Sequence, residues 1–248
     1  MKSLGRIALV TGGMGGIGTA ICQRLHKEGF KVIVGCSSDS ARKNEWAASQ
    51  LAAGYQFEFI YGDITDWEST RKAFEMAREQ FGAVDVLVNN AGITRDASFR
   101  KITPEDWNAV INTNLNGMFN TTKQVIEGML SKGWGRIINI SSINGQRGQF
   151  GQTNYSAAKA GIHGFTMALA REVSGKGVTV NTVSPGYIQT SMTAAIRQDI
   201  LDTMIAATPV GRLGQPEEIA SIVAWLASDE SGYSTGADFS VNGGMNMQ

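Results

Sequence analysis

The sequence predicts a doubly wound α/β fold, in which a parallel sheet of about seven strands carries helices on both faces. Two observations support this prediction. Short runs rich in Val and Ile alternate with longer stretches whose apolar residues recur at helical spacing. The short runs are apolar at consecutive positions, as strands buried on both faces of a parallel sheet are. Strands that alternate with helices form right-handed crossover units, which build such a sheet.

Composition favours one globular domain over residues 1–248. The chain is 42% apolar and 18% charged, and it contains no repeat or low-complexity linker. With 22 basic and 22 acidic side chains, the net charge is zero, which argues against nucleic-acid or anionic-membrane partners. No apolar run approaches the ~20 residues of a spanning helix. Two cysteines, Cys22 and Cys36, do not suggest a secreted disulfide scaffold, so a cytoplasmic location is expected; no metal site is predicted.

The elements follow in order along the chain. The predicted strands are Arg6–Thr11, Lys31–Cys36, Phe57–Tyr61, Val84–Asn89, Arg136–Ser141, Val178–Val183 and, more weakly, Ala237–Val241. The predicted helices are Gly16–Glu28, Asp66–Phe81, Pro104–Leu130, Asn154–Ser174 and one that opens at Pro216. Ligands bind beyond the carboxyl ends of the strands in such sheets, so functional residues should follow each strand.

The first predicted strand runs into a glycine-rich turn, Thr11-Gly-Gly-Met-Gly-Gly-Ile-Gly18, and a helix follows at once. Glycine permits positive φ and lets the backbone approach a ligand closely. The amides at the helix start then face an anion, which the helix dipole favours. In this context the turn predicts a nucleotide site, and its candidate residues are Gly12, Met14, Gly16, Ile17 and Gly18.

The end of the second strand favours NADP(H). An acid there would bind a free ribose 2′-hydroxyl, but this strand ends in Ser37 and Ser38, with Arg42 nearby. Hydroxyls and a guanidinium suit a phosphate. The alternative is that Arg42 belongs to the solvated start of the next helix. Asp63, followed by Ile64, is a candidate for the adenine edge, or else a helix-entry residue.

Tyr155 and Lys159 lie four residues apart in a predicted helix and therefore share one face. A nearby ammonium favours the phenolate and makes the phenol a better proton donor at neutral pH. Such a pair alone is usually a surface pair. Ser142 strengthens the functional interpretation, because it follows a strand and can hydrogen-bond a substrate carbonyl.

Asn114 lies among polar residues and a glycine in the middle of the predicted helix Pro104–Leu130. These residues are poor helix formers. Poor helix formers in the middle of a helix suggest a functional site or local strain. A kink filled by polar side chains or water explains it equally well. After the fourth and sixth strands, the turns supply further candidates around the cofactor: Asn90, Ala91, Gly92, Pro185, Gly186, Ile188 and Thr190.

Together these residues resemble the short-chain dehydrogenase/reductase family over essentially the whole chain. The shared motifs are Thr11-Gly-x-x-x-Gly-x-Gly18, Asn89-Asn-Ala-Gly92, Asn114, Ser142, Tyr155-x-x-x-Lys159 and Pro185-Gly186. The resemblance implies a Rossmann-type fold with Tyr155 as general acid and Ser142 orienting the carbonyl. It also implies that Lys159 lowers the tyrosine pKa and binds the nicotinamide ribose, and that Asn114 holds a relay water. Gly15 stands where many NADP-dependent relatives carry Arg or Lys.

Within the family, the chain is most similar to 3-oxoacyl thioester reductases. This implies NADPH-dependent reduction of a 3-oxoacyl-CoA (acetoacetyl-CoA) to the (R)-3-hydroxyacyl-CoA, supplying polyhydroxybutyrate synthesis. Residues expected around the acyl group are Ser142, Gln149, Phe150, Gln152, Tyr155 and Tyr187. A 3-oxoacyl-[acyl-carrier-protein] reductase is the alternative, although only isolated lysines such as Lys132 and Lys176 could dock an acidic carrier. A sugar or alcohol dehydrogenase and a non-enzymatic NADP(H) sensor are weaker alternatives. The family also suggests a homotetramer.

Overall fold

A computed structural model describes residues 5–190, 193 and 197–247. Its strands are β1 Ile7–Thr11, β2 Lys31–Cys36, β3 Glu58–Tyr61, β4 Val86–Asn89, β5 Gly135–Ile140, β6 Val178–Pro185 and β7 Asp238–Val241. The helices are α1 Gly16–Lys27, α2 Ala41–Ala52, α3 Trp67–Phe81, α4 Pro104–Ile111, α5 Gly117–Lys132, α6 Ile143–Arg147, α7 Thr153–Val173, α8 Gln198–Ala206 and α9 Pro216–Leu226. All seven predicted strands are present, with ends displaced by at most two residues.

The strands form one parallel sheet in the order β3-β2-β1-β4-β5-β6-β7. The chain builds outward from β1 to β3 and then returns to the other side of β1 with β4. The direction of winding therefore reverses between β1 and β4, and this reversal opens a crevice at the carboxyl ends of the strands. The predicted doubly wound α/β fold is confirmed.

Both faces of the sheet are buried, which explains why the strands are apolar at consecutive positions. In β1, Ala8 and Val10 join one core cluster and Leu9 joins the other. The first cluster packs beneath α1 and α9, and the second beneath α3, α5 and the end of α7. Since neighbouring residues in a strand point to opposite faces, a strand covered on both sides must be apolar throughout.

The predicted helix Pro104–Leu130 is interrupted. Residues Asn112–Asn116 form a π-helical segment between α4 and α5, in which the Gly117 N–H donates to the Asn112 carbonyl. The expectation of one α-helix is therefore wrong across these residues, although the polar side chains correctly marked the break. Such π segments are often found at functional sites.

No helix in the described ranges is both long enough and apolar enough to cross a membrane.

Candidate active site

A cleft of about 1020 Å³ opens at the carboxyl ends of the strands, where the winding reverses. Its volume is sufficient for a dinucleotide and a small substrate together. The predicted residues that line it are Gly12, Met14, Gly16, Ile17, Gly18, Ser37, Arg42, Asp63, Ile64, Asn90, Ala91, Gly92, Ser142, Gln149, Phe150, Gln152, Tyr155, Lys159, Pro185, Gly186, Tyr187, Ile188 and Thr190. Residues from distant parts of the sequence thus meet at one edge of the sheet.

Two predicted residues do not line this cleft. Ser38 is exposed and does not line it, whereas the neighbouring Ser37 does. Ser38 therefore stays a predicted cofactor contact that lies outside the lining of the cleft. Asn114 is buried and lines a separate, small cavity instead.

The glycine-rich turn needs glycine for close packing. Gly12 adopts φ +63°, and a Cβ on Gly18 would lie 2.3 Å from the Gly12 carbonyl oxygen. Asn90, directly after β4, stabilises the turn: its Nδ2 donates to the Thr11 and Gly12 carbonyls at 3.1 Å. Helix α1 begins here with no side-chain cap and no acid in its first turn, so its amide groups suit a phosphate.

The end of β2 presents cationic and hydroxyl groups to the cleft. Ser37 and Arg42 line it, and no described residue forms an ion pair with Arg42. Asp39, the first acid after β2, pairs at 2.9 Å with Lys43, whose Nζ also lies over the Tyr61 ring. The acid that follows β2 is therefore neutralised by its neighbour, while Arg42 remains available to an anion.

Ser142 and Tyr155 meet in the cleft at the end of β5. Ser142 caps α6, with its Oγ accepting from the Asn144 N–H at 3.1 Å, and its side chain hydrogen-bonds Tyr155. Lys159 lies one turn after Tyr155 on α7 and is buried. Its Nζ donates to the Ile140 carbonyl at 2.8 Å and lies 5.5 Å from the centre of the Tyr155 ring.

Burial has a large effect on the pKa values of this pair. Burial is the largest influence on Tyr155 and raises its pKa; the hydrogen bond with Ser142 lowers it, and the Asp96 charge raises it. Burial also lowers the pKa of Lys159 to about 8. Lys159 Nζ faces the Ile140 carbonyl and is poorly solvated, so burial is the largest influence on the pKa of both groups.

The π-helical segment places Asn114 against the loop after β4. Its Nδ2 donates to the Ile93 carbonyl at 2.9 Å and its Oδ1 accepts from the Ile93 N–H at 2.8 Å. A Cβ on Gly92 would lie 3.0 Å from Asn114 Oδ1 and 3.5 Å from Lys159 Nζ, so glycine keeps this corner open. The adjoining cavity of about 10 Å³ is about the size of one water, and its polar lining includes Asn89 and Thr121.

The acyl side of the cleft contains two polar residues that sequence reasoning missed. Asp96 lies in the loop after β4, and Asn144 lies in α6, two residues after Ser142. Both contact Gln152: its Nε2 donates to Asp96 Oδ2 at 2.8 Å, and Asn144 Nδ2 donates to its Oε1 at 2.9 Å. Position after a strand could have indicated Asn144, whereas no local pattern marks Asp96.

The family model described as short chain dehydrogenase matches residues 6–201. A protein named acetoacetyl-CoA reductase from Cupriavidus necator is 66% identical over 242 residues, which cover 98% of each chain. The protein of the same name from Allochromatium vinosum is 55% identical, covering 98% of this chain and 100% of its own.

The chain is also similar to a reductase of another name and to a solved structure. A 3-oxoacyl-[acyl-carrier-protein] reductase from Vibrio harveyi is 46% identical over the full length of both chains. Among solved structures, that of gox2181 superposes with a TM-score of 0.93 at 35% identity, covering 98% of this chain and 96% of its own.

Proposed function

The chain belongs to the short chain dehydrogenase family and is an oxidoreductase that uses a nicotinamide cofactor, and we propose that it reduces acetoacetyl-CoA to (R)-3-hydroxybutyryl-CoA with NADPH. The observation that carries the proposal is the meeting of Ser142, Tyr155 and Lys159 in a cleft beside the glycine-rich turn. The names and identities of the relatives from Cupriavidus necator and Allochromatium vinosum support the substrate.

The glycine-rich turn and Arg42 would hold NADPH, which would supply the hydride for the ketone carbon when bound. Ser142 and Tyr155 donate hydrogen bonds to the ketone oxygen, where negative charge develops, and Tyr155 then transfers its proton to that oxygen. Tyr155 is protonated at neutral pH, so the proton to be donated is present, and the hydrogen bond with Ser142 partly offsets the rise in pKa caused by burial. The Lys159 ammonium would bind the nicotinamide ribose and stabilise the resulting phenolate.

Asn114 is proposed to support proton return to Tyr155. The small cavity that it lines also touches Ile140, whose carbonyl accepts from Lys159 Nζ. A water there would lie close to the ammonium and would relay a proton from solvent toward Lys159 and Tyr155. The side chain of Asn114 itself is engaged at both ends by Ile93, so it acts by shaping the cavity and holding the loop.

Arg42 is proposed to select NADPH by contacting its 2′-phosphate. Arg42→Ala is expected to weaken NADPH binding about tenfold and to leave NADH binding within about twofold, because it removes one charge-assisted contact that NADH lacks. Isothermal titration with both nucleotides measures this. Arg71→Ala, which removes a cation paired with Glu68 and Glu75 on α3, is the control. Equal loss for both nucleotides would contradict the role.

Turnover on matched substrates tests the substrate assignment. NADPH oxidation is followed with acetoacetyl-CoA, longer 3-oxoacyl-CoA esters, acetoacetyl-[acyl carrier protein] and a sugar. We expect the highest kcat/KM with acetoacetyl-CoA. A higher value with the carrier protein would favour the alternative that the Vibrio harveyi relative represents. No turnover of any 3-oxoacyl thioester would refute the substrate class.

We further propose that residues 1–248 act as one domain within a cytoplasmic homotetramer that supplies polyhydroxybutyrate synthesis. Exposed aromatic surface supports assembly: Trp67 and Phe119 stack with ring centres 6.1 Å apart and are 40% and 49% exposed. An exposed aromatic pair of this kind is a candidate contact for another protein chain. Cys22 and Cys36 are both free thiols, as a reducing compartment would keep them.

A further inference from the structure

Lys159 is bound to the end of β5 through both its side chain and its main chain. Its Nζ donates to the Ile140 carbonyl at 2.8 Å, and its main-chain carbonyl accepts from Ser141 Oγ at 2.9 Å. The helix that Ser142 caps packs on the same residue, because a Cβ on Gly145 would lie 2.8 Å from the Lys159 carbonyl carbon. The Ser141 hydroxyl therefore helps to set the position of Lys159 relative to Ser142.

The Ser141 hydroxyl has a second partner, and this partner affects where it donates. Ser141 is only 3% exposed, and its Oγ lies 2.8 Å from Nε2 of His163, which is one turn after Lys159 on α7. A hydroxyl has one proton to donate, and a carbonyl can only accept. Ser141 can donate to Lys159 and still bond His163 only if Nε2 carries a proton and donates to Oγ. An Nε2 without a proton competes with the Lys159 carbonyl for the hydroxyl proton.

Asp238 favours a proton on the other ring nitrogen. Nδ1 of His163 lies 3.3 Å from Asp238 Oδ2, and the two side chains are only 20% and 19% exposed. Asp238, in β7, is itself fixed by two donors, Ser184 Oγ at 2.7 Å and Gln146 Nε2 at 2.6 Å. A carboxylate only accepts, so a ring with one proton carries it on Nδ1. Only a doubly protonated ring serves both Asp238 and Ser141.

The second charged residue beside the ring is Lys159, on the same helix. Its ammonium is bound at the Ile140 carbonyl. The groups that β5, β6 and α6 contribute to these bonds are uncharged, namely Ser141, Ser184 and Gln146. The carboxylate of Asp238 is therefore the charge that decides which nitrogen of His163 keeps its proton.

We propose that Ser141, His163 and Asp238 are positioning residues for Lys159, and that a proton on Nε2 of His163 directs the Ser141 hydroxyl to the Lys159 carbonyl. Loss of that proton turns the hydroxyl toward His163, so that the end of β5 keeps only one of its two bonds to Lys159. His163 and Asp238 do not line the cleft and act through Ser141. The inference rests on the role of Lys159 in the proposed function.

The direction of the hydrogen bonds can be measured without turnover. The chain contains two histidines, so His26→Gln leaves His163 as the single imidazole in a nitrogen NMR spectrum. As the pH rises, we expect Nε2 to lose its proton first and Nδ1 to stay protonated. Asp238→Asn in the same background should weaken this preference, because a neutral amide oxygen accepts less strongly than a carboxylate. A ring that loses its Nδ1 proton first would overturn the inference.

Turnover shows whether His163 acts through Ser141. Ser141→Ala and His163→Leu should each lower kcat for acetoacetyl-CoA about tenfold, with KM within about twofold, which is the effect of one hydrogen bond. The double variant should lose no more than about tenfold, because both substitutions remove the same arrangement. Two separate structural effects would instead give additive losses of about a hundredfold, and that result would contradict the inference.

His163→Gln adds a readout that depends on pH. Glutamine has an amide NH₂ at about the distance of Nε2 from the backbone, and this donor does not titrate. The variant should keep kcat within about threefold of wild type and lose the decrease in kcat that follows loss of the Nε2 proton. The step due to Lys159, whose pKa burial lowers to about 8, should remain in both proteins.

His26→Gln is the matched control for this variant. His26 packs edge-on against Tyr55 and Phe57 and does not line the cleft. It should keep both the wild-type kcat and the wild-type pH profile. If His163→Leu does not fold, His163→Gln and the NMR titration provide the answer.

The outcomes separate this inference from the function on which it rests. Additive losses, or a His163→Gln variant that is as slow as His163→Leu at every pH, would overturn the inference alone. If the wild type reduces no 3-oxoacyl thioester, the proposed function fails, and the NMR titration still decides the direction of the hydrogen bonds.

Discussion

Tyr155→Phe is expected to lower kcat for acetoacetyl-CoA reduction by about 10³-fold while NADPH binds with nearly wild-type affinity. The substitution removes only the phenolic oxygen, which is the proposed proton donor, and general acids contribute up to about 10⁴-fold. The ring that packs beside Lys159 remains. Stopped-flow turnover and nucleotide fluorescence measure the two quantities. Tyr233→Phe, at an exposed position, should change neither.

The same tyrosine predicts how the two directions depend on pH. Since burial raises its pKa above the ordinary value, the phenol is protonated at neutral pH and can donate during reduction. Oxidation of the 3-hydroxyacyl thioester needs the phenolate, so its rate should increase as the pH rises through the alkaline range. Retained activity in Tyr155→Phe, or an oxidation rate that is flat from neutral to alkaline pH, would contradict the assignment.

Lys159→Met is expected to lower kcat at least about a hundredfold and to change how stability depends on pH. Burial lowers the pKa of Lys159 to about 8, whereas the unfolded chain has the ordinary value near 10.4. Between these values the unfolded chain binds more protons than the folded one, so wild-type stability from this group increases with pH. Below about pH 8 the folded protein bears the full cost of a buried ammonium.

Methionine has similar length and no charge, so the variant lacks this pH dependence. Its stability relative to wild type should be greatest near pH 7, by about 1 kcal/mol after the loss of the hydrogen bond to Ile140, and should decline as pH rises. Urea unfolding at pH 7 and pH 9.5 measures the difference. Lys101→Met, on an exposed side chain, is the control. A difference that does not vary with pH would refute the buried ammonium.

Much of the fold could be predicted because its signals are local. Strands buried on both faces are apolar at every position, as in β1, and the glycine-rich turn has a backbone requirement that Gly12 and Gly18 make visible in the sequence. The family resemblance is confirmed by the model match over residues 6–201. The roles of Ser142, Tyr155 and Lys159 remain predictions, although the structure brings the three side chains into one cleft.

The remaining features depend on contacts between distant residues. The sequence marks Asn114 as an irregularity in a helix, but its pairing with Ile93 depends on how the loop after β4 meets that helix. The direction of the Lys159 side chain depends on the Ile140 carbonyl, which no spacing rule reveals. The bonds from Asp96 through Gln152 to Asn144 join three segments, and hydrogen-bond direction cannot be inferred from residue types alone.

The π-helical break between α4 and α5 connects the loop after β4 with the outer surface of the protein. Asn114 hydrogen-bonds Ile93 in the loop after β4, which borders the cleft. Phe119, five residues later, is exposed on the outer surface and stacks on Trp67. Because little more than one helical turn separates Asn114 from Phe119, we expect a substitution in the outer aromatic pair to alter the position of the Ile93 peptide in the loop after β4.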